Sequence, residues 1–332
     1  MNQNNFFPKN IKLLRYLDID DAYSFVDLDN SFDIFKSFDN IFYLIYTTKE
    51  YSIIIYNLLQ NKKMSQIKDA HDNKIIMLKH YSDAINQRDL LLSLSQYNLK
   101  VWNIQNLDYL INLKPINNIK YINACMLLDN NKYYIITNNL LFSCFYEPIH
   151  IYNIKGNKIK DIEDSEEHSY YIGVYYELEN KKCYIITGNE GHLKSFDYNT
   201  NKIYNKYDTS LYTIFHFSII NNKIKDNVQI LGSCTSGYII VWNFHTGEKI
   251  KKIKVATVVF GMCLWSSNFI FVGCEDNSIK LVDINEGKIL KVLNGHKSMV
   301  INVKKINIPI YGECLISKGS VNDKIIIWIN EK

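Results

Sequence analysis

Arginine is nearly missing from this chain: Arg15 and Arg88 are the only two among 38 basic residues. Lys, Asn, Ile and Tyr are abundant instead, as an AT-rich coding sequence favours, so a lysine is not functional merely by being there. Proline is scarce, with 4 in 332 residues, which leaves β-ladders few breakers. The seven cysteines (Cys125, Cys144, Cys183, Cys234, Cys263, Cys274 and Cys314) include no Cys-x-x-Cys pair. Their odd number and their place in apolar runs read as reduced thiols, not as a secreted disulfide framework. No apolar signal core opens the sequence, because residues 1–10 are rich in amides. The most apolar stretch, 257–274, is broken by Ser266-Ser267-Asn268, which suits a hairpin better than a membrane span of about 20 apolar residues. A net charge of +4 is too small to argue for nucleic acid by itself.

What the chain does have is aromatic residues, 25 Tyr and 16 Phe, and many isoleucines, the side chains that fit a pleated, half-buried surface. Seven times a β-rich run reaches a bulky apolar residue, usually followed by Asn or Asp: Tyr56-Asn57, Trp102-Asn103, Tyr152-Asn153, Phe196-Asp197, Trp242-Asn243, Val282-Asp283 and Trp328. The intervals are 46, 50, 44, 46, 40 and 46 residues. Self-similarity at about 40–45 residues with four strands per unit marks a β-propeller blade. The sixth unit is the clearest template, with strands predicted over 259–265, 269–274, 278–284 and 288–293. Within it Ile279 and Leu281 alternate with Val282 and Ile284, so both faces of that strand are expected to be covered.

The predicted fold is therefore all-β: a seven-bladed propeller of four-stranded antiparallel blades. The seventh unit lacks its last strand, while Ile11 to Leu17 is an apolar run without a partner. Placing that run at the outer edge of the last blade closes the ring and covers an open sheet edge. The expected organisation is a disordered tail over 1–10 and one propeller domain over 11–332.

Gly295-His296, Ser317, Asp323 and Trp328, together with the run Asp276-Asn277-Ser278-Ile279-Lys280-Leu281-Val282-Asp283, resemble the signature of WD-repeat proteins. The resemblance covers Ile11 to Lys332 and is degenerate, since His precedes the first strand of a unit only at His71, His168 and His296. It implies a structural tetrad of His296, Ser317, Asp323 and Trp328, in which imidazole, hydroxyl, carboxylate and indole satisfy one another.

No Gly-rich loop opens a helix to cradle phosphate, and no His-Glu-x-x-His metal pattern occurs. The remaining histidines are scattered. Neither an enzyme, a cofactor nor a bound metal is expected, although a composite triad is recognisable only in space. Specialised propeller roles lack their marks too: there are no paired arginines for phosphoinositides, no Arg two positions after a Trp-Asp-like pair, and no long leading helix.

The signal that remains lies in loops. Loops expected at the top of the disc carry Asp18, Asp20, Asp21, Asp27, Asp29, Glu163, Asp164, Glu166 and Glu167. Turns expected at the bottom carry Lys62, Lys63, Lys132, Lys155, Lys158, Lys181, Lys182, Lys202, Lys223 and Lys225. Ordinary solvated turns explain this, and so does a polarised disc that steers partners. The top-face segment 138–148 includes Phe142, Phe145 and Tyr146, which either pack over the channel or form a binding patch. The sequence thus points to a cytoplasmic or nuclear, non-secreted scaffold. It would bind protein partners through Phe142, Phe145, Tyr146, Asp20, Asp21, Glu166 and Glu167. A membrane- or nucleic-acid-associated propeller using the lysine-rich bottom is the alternative, and a propeller enzyme the third reading.

Overall fold

The computed structural model of the protein describes residues 8, 10–17, 19, 31–115, 119–140, 147–163, 169–222, 227–320 and 323–331. Strand β1, Ile11–Leu17, stands apart in sequence from the first blade, which holds β2 (Phe32–Lys36), β3 (Phe42–Thr47), β4 (Ile53–Asn57) and β5 (Lys62–Ile67). The second blade holds β6 (Ile75–Asp83), β7 (Arg88–Ser95), β8 (Asn98–Asn103) and β9 (Tyr109–Leu113), and the third β10 (Lys120–Asp129), β11 (Lys132–Leu140), β12 (Ile149–Asn153) and β13 (Lys158–Ile162). The fourth and fifth share one sheet of β14 (Ser169–Glu177), β15 (Lys182–Asp197), β16 (Ile203–Asn222), β17 (Asn227–Cys234), β18 (Tyr238–Asn243) and β19 (Lys249–Lys254). The sixth comprises β20 (Val259–Leu264), β21 (Phe269–Cys274), β22 (Ser278–Asp283) and β23 (Lys288–Asn294). The seventh comprises β24 (Val300–Ile308), β25 (Gly312–Gly319), β26 (Ile325–Asn330) and β1.

Seven blades of four strands follow because β15 and β16 each run on through a bend and serve twice. In β15 the chain doubles back at Gly191, whose φ is 90°, and the Tyr198 amide donates to the Cys183 carbonyl at 3.0 Å. The reversal lies within 188–191, and the backbone is extended on both sides of it. Ring closure is as predicted: Ile11 lies opposite Asn330 and Leu17 opposite Ile325 in antiparallel register.

The Asn or Asp that follows six of the seven markers has a mechanical reason. Its side chain folds back to accept amides of the turn between the third and fourth strands, an Asx turn. Asn57 accepts from Leu59 and Gln60 at 2.9 Å, Asp197 from Asn199 and Thr200 at 2.9 Å, and Asn243 from His245 at 2.9 Å and Thr246 at 3.0 Å. Immediately beside the marker every blade carries the same bulge in its outer strand. Val241 pairs with Lys251 but Trp242 with Lys249; Leu281 pairs with Lys291 but Val282 with Ile289. The same slip recurs at Tyr56, Trp102, Tyr152 and Phe196, and at Trp328 where β1 supplies the outer strand. An extra residue bends and twists the strand that carries it.

Burial follows the layers. The inner three strands are apolar on both faces, and each face packs into a different junction between blades. Ile279 and Leu281 join Trp328 and Ile326 on one side, while Val282 and Ile284 join Leu231 and Val241 on the other. Seven such clusters, one per junction, make up the core. Fully burying one Ile, Leu or Phe is worth roughly 1.5–3 kcal/mol, so the ring is held mainly by these junctions. The outer strands are largely exposed; in β23 only Leu293 is buried.

Candidate functional site

In the seventh blade the four resemblance residues meet. Trp328 Nε1 donates to Ser317 Oγ at 2.8 Å, and Ser317 Oγ lies 2.7 Å from His296 Nε2. His296 Nδ1 lies 3.0 Å from Asp323 Oδ2. One tautomer satisfies all of them: the Ser317 hydroxyl donates to Nε2, and Nδ1–H donates to the carboxylate. All four side chains are buried. Asp323 also accepts from the Lys297 amide (2.9 Å) and the Ser298 amide and hydroxyl (3.0 Å each). A Cβ at Gly319 would collide with that carboxylate, so only glycine allows it this close. Burial pushes the Asp323 carboxyl up, but the hydrogen bonds from His296, Ser298 and the Lys324 amide outweigh it and bring it down to about 2.

The second blade has three parts of the same network. Trp102 donates to Ser93 at 2.8 Å and Ser93 lies 2.7 Å from His71 Nε2, but no carboxylate reaches His71 Nδ1, which is left without a partner. Burial, with Lys100 nearby, pulls the imidazole down to about 3. The other blades depart further. In the fifth, Gly232 stands where Ser93 and Ser317 do, and Trp242 donates to the Asp208 carbonyl at 3.1 Å. Asp276 of the sixth binds Ser278 and Lys280 (2.7 Å to Oδ2) instead of an imidazole.

The bulges have a use that the sequence did not disclose. They aim the side chain opposite the residue before each marker at the next blade. Arg15 donates to the Leu58 carbonyl at 2.8 Å, Asn205 to the Phe244 and His245 carbonyls at 3.2 and 3.0 Å, and Lys291 to the Ile11 carbonyl at 2.7 Å. Lys160 and Lys251 do the same to Tyr198 and Asn285. Only the first and second blades, with Ser65 and Ile111 at this position, show no such clamp among the described residues.

Two further groupings were invisible in sequence. At the bottom of the junction between the fourth and fifth blades, His245 bridges Tyr204 and Glu177: the tyrosine hydroxyl is 2.9 Å from Nδ1 and the carboxylate 3.2 Å from Nε2. A neutral imidazole accepting from Tyr204 and donating to Glu177 satisfies this chain. At the centre of the ring a cavity of about 470 Å³ is lined by the innermost strand of every blade, through Asp33, Lys79, Ala124, Ile172, His216, Cys263 and Lys304 among others. Lys304 Nζ is paired with Asp33 Oδ1 at 2.6 Å.

The expected partner contacts Phe142, Phe145, Tyr146, Asp20, Asp21, Glu166 and Glu167 lie outside the described residues, as does His168. Of the acidic top-face residues, Glu163 is described and exposed, and the eight described bottom-turn lysines are exposed as well. Among the described residues no helix is long and apolar enough to cross a membrane.

No protein-family model matches the chain. Among curated proteins it is similar to "GID complex subunit 7" of Schizosaccharomyces pombe, with 23% identity over 184 residues. The match spans 53% of this chain and 34% of that protein, about a third of its length.

Proposed function

We propose that the chain is a divergent WD-repeat propeller, a single unit over residues 11–332 after a short tail, serving as a non-catalytic scaffold for protein assembly. The observation that carries this reading is the similarity to a complex subunit, on a ring of seven four-stranded blades. Propellers are platforms, and specificity lies in the surface they present. His296, Ser317, Asp323 and Trp328 are assigned the support of the last blade, with their polar atoms turned on one another. Partner contact is assigned to the top-face residues Phe142, Phe145 and Tyr146 as anchors, with Asp20, Asp21, Glu166 and Glu167 guiding approach. The working compartment is the cytoplasm, with the nucleus as a second station, and no cofactor is required.

The exposed lysines gathered on the bottom turns favour one other reading, association with an anionic membrane or nucleic acid. Affinity purification of the tagged chain from its own cells, followed by mass spectrometry, separates the two. Stoichiometric protein partners support the scaffold. Retention on anionic vesicles or nucleic acid without a protein partner, or recovery of the chain alone, contradicts it.

A further inference from the structure

Register makes one layer of the central channel equivalent in five of the seven blades. Phe32 pairs with Tyr46, Leu78 with Ser93, Phe217 with Gly232, Met262 with Val272 and Val303 with Ser317. The residues that follow, Asp33, Lys79, Ser218, Cys263 and Lys304, all line the cavity. Two ammonium groups therefore face one carboxylate. That carboxylate is already engaged: Oδ1 accepts from Lys304 at 2.6 Å and from the Ile34 amide at 2.9 Å, and Oδ2 from the His80 amide at 2.7 Å. Lys79 forms no ion pair with any carboxylate among the described residues; its ammonium hydrogen-bonds the neutral Tyr81 hydroxyl, which also accepts from the Met126 amide at 2.8 Å, so its positive charge stays unneutralised.

His216 lines the same cavity from the fifth blade, with a buried Nδ1 that has no hydrogen-bond partner. Burial, then Lys304 and Lys79, pull this imidazole down to about 3. It is a neutral ring set where the fields of both lysines overlap, and its Nδ1 becomes a donor when it carries the ring proton. A channel with surplus positive charge, low-dielectric walls and an uncommitted ring nitrogen is built for an anion.

We propose that the central channel is an oxyanion site, in which Lys79, Lys304 and His216 hold a phosphate-type group carried by a free ion or by a small organic phosphate. A space of about 470 Å³ accommodates either. This site is independent of the loop surfaces assigned to protein partners.

The test is isothermal titration of the full chain with inorganic phosphate and with glycerol 3-phosphate, at ionic strength held constant with chloride. Saturable binding of one ion per chain is expected, with a Kd of about 1 mM or below. Tighter binding of glycerol 3-phosphate assigns the natural ligand to the organic phosphates, and the reverse order assigns it to the free ion. Lys79→Met leaves no carboxylate unpaired and should weaken binding by at least roughly tenfold, while the exposed Lys288→Met should bind as the parent does. Because Lys304→Met alone strands Asp33, the paired change Asp33→Asn with Lys304→Met serves as the second probe. It should also weaken binding, with its melting temperature recorded alongside. Absence of saturable binding to both probes, or unaltered binding by Lys79→Met, overturns the proposal.

Discussion

Arg15 donates to the carbonyl of Leu58 at 2.8 Å across the junction between the last blade and the first. The contact joins the strand that closes the ring to the blade that begins it. It is one of five clamps made from the same position, each aimed by the bulge beside a marker residue. In this position a hydrogen bond is also a closure device.

Replacing Arg15 with Ala should cost about 1.5–3 kcal/mol, the range for a hydrogen bond from a charged donor. Removing residues 1–17 should do more, because it bares the outer edge of Ile325–Asn330, which pairs with Ile11–Leu17. Urea unfolding reads the first, and thermal melting with light scattering reads the second. A truncated protein that melts as the parent does, without aggregating, contradicts the closure account.

His296→Ala should leave the buried Ser317 hydroxyl without its acceptor and remove one donor from Asp323, while Trp328 keeps its bond to Ser317, and cost about 1–3 kcal/mol. Partner binding should fall only as folding falls. A variant of parental stability that has selectively lost binding would show that His296 acts directly.

His71 gives a pH dependence of known sign. Its folded pKa of about 3 lies below the ordinary 6.5, so between those values the unfolded chain holds the extra proton and stability rises with pH. The contribution is fully present above pH 6.5 and is lost as pH falls towards 3. His71→Gln should flatten the stability profile in that window by up to about 1.4 kcal/mol per pH unit. Asp323, held at about 2, acts lower: its contribution is present above about pH 4 and is lost as pH falls towards 2. Urea midpoints measured across pH 2–7 check both, and identical slopes for His71→Gln and its parent would refute the first.

The fold was legible because its signals are local and repeated. A strand needs only an apolar run, and each Asn or Asp after a marker announces an Asx turn whatever lies around it. Even ring closure could be read, from an unpartnered run at one end and a missing strand at the other. The clamps and the channel were not legible. The five clamp residues, Arg15, Lys160, Asn205, Lys251 and Lys291, are of three types in a lysine-rich chain, and only the one-residue slip beside each marker aligns them. Lys79 and Lys304 stand 225 positions apart in the chain, and register alone sets them in one layer. His245 looked scattered for the same reason: its partners Tyr204 and Glu177 belong to another blade.

The scaffold account is tested most directly by binding kinetics of the captured partner on three variants. Phe142→Ala with Tyr146→Ala should speed release without slowing approach. Charge reversal at Asp20, Asp21, Glu166 and Glu167 should slow approach, most strongly at low salt. Substitution of Lys181 and Lys182 should leave both rates unchanged. Full binding by both top-face variants, with binding abolished by the lysine substitutions, would contradict the account and move the partner to the bottom face.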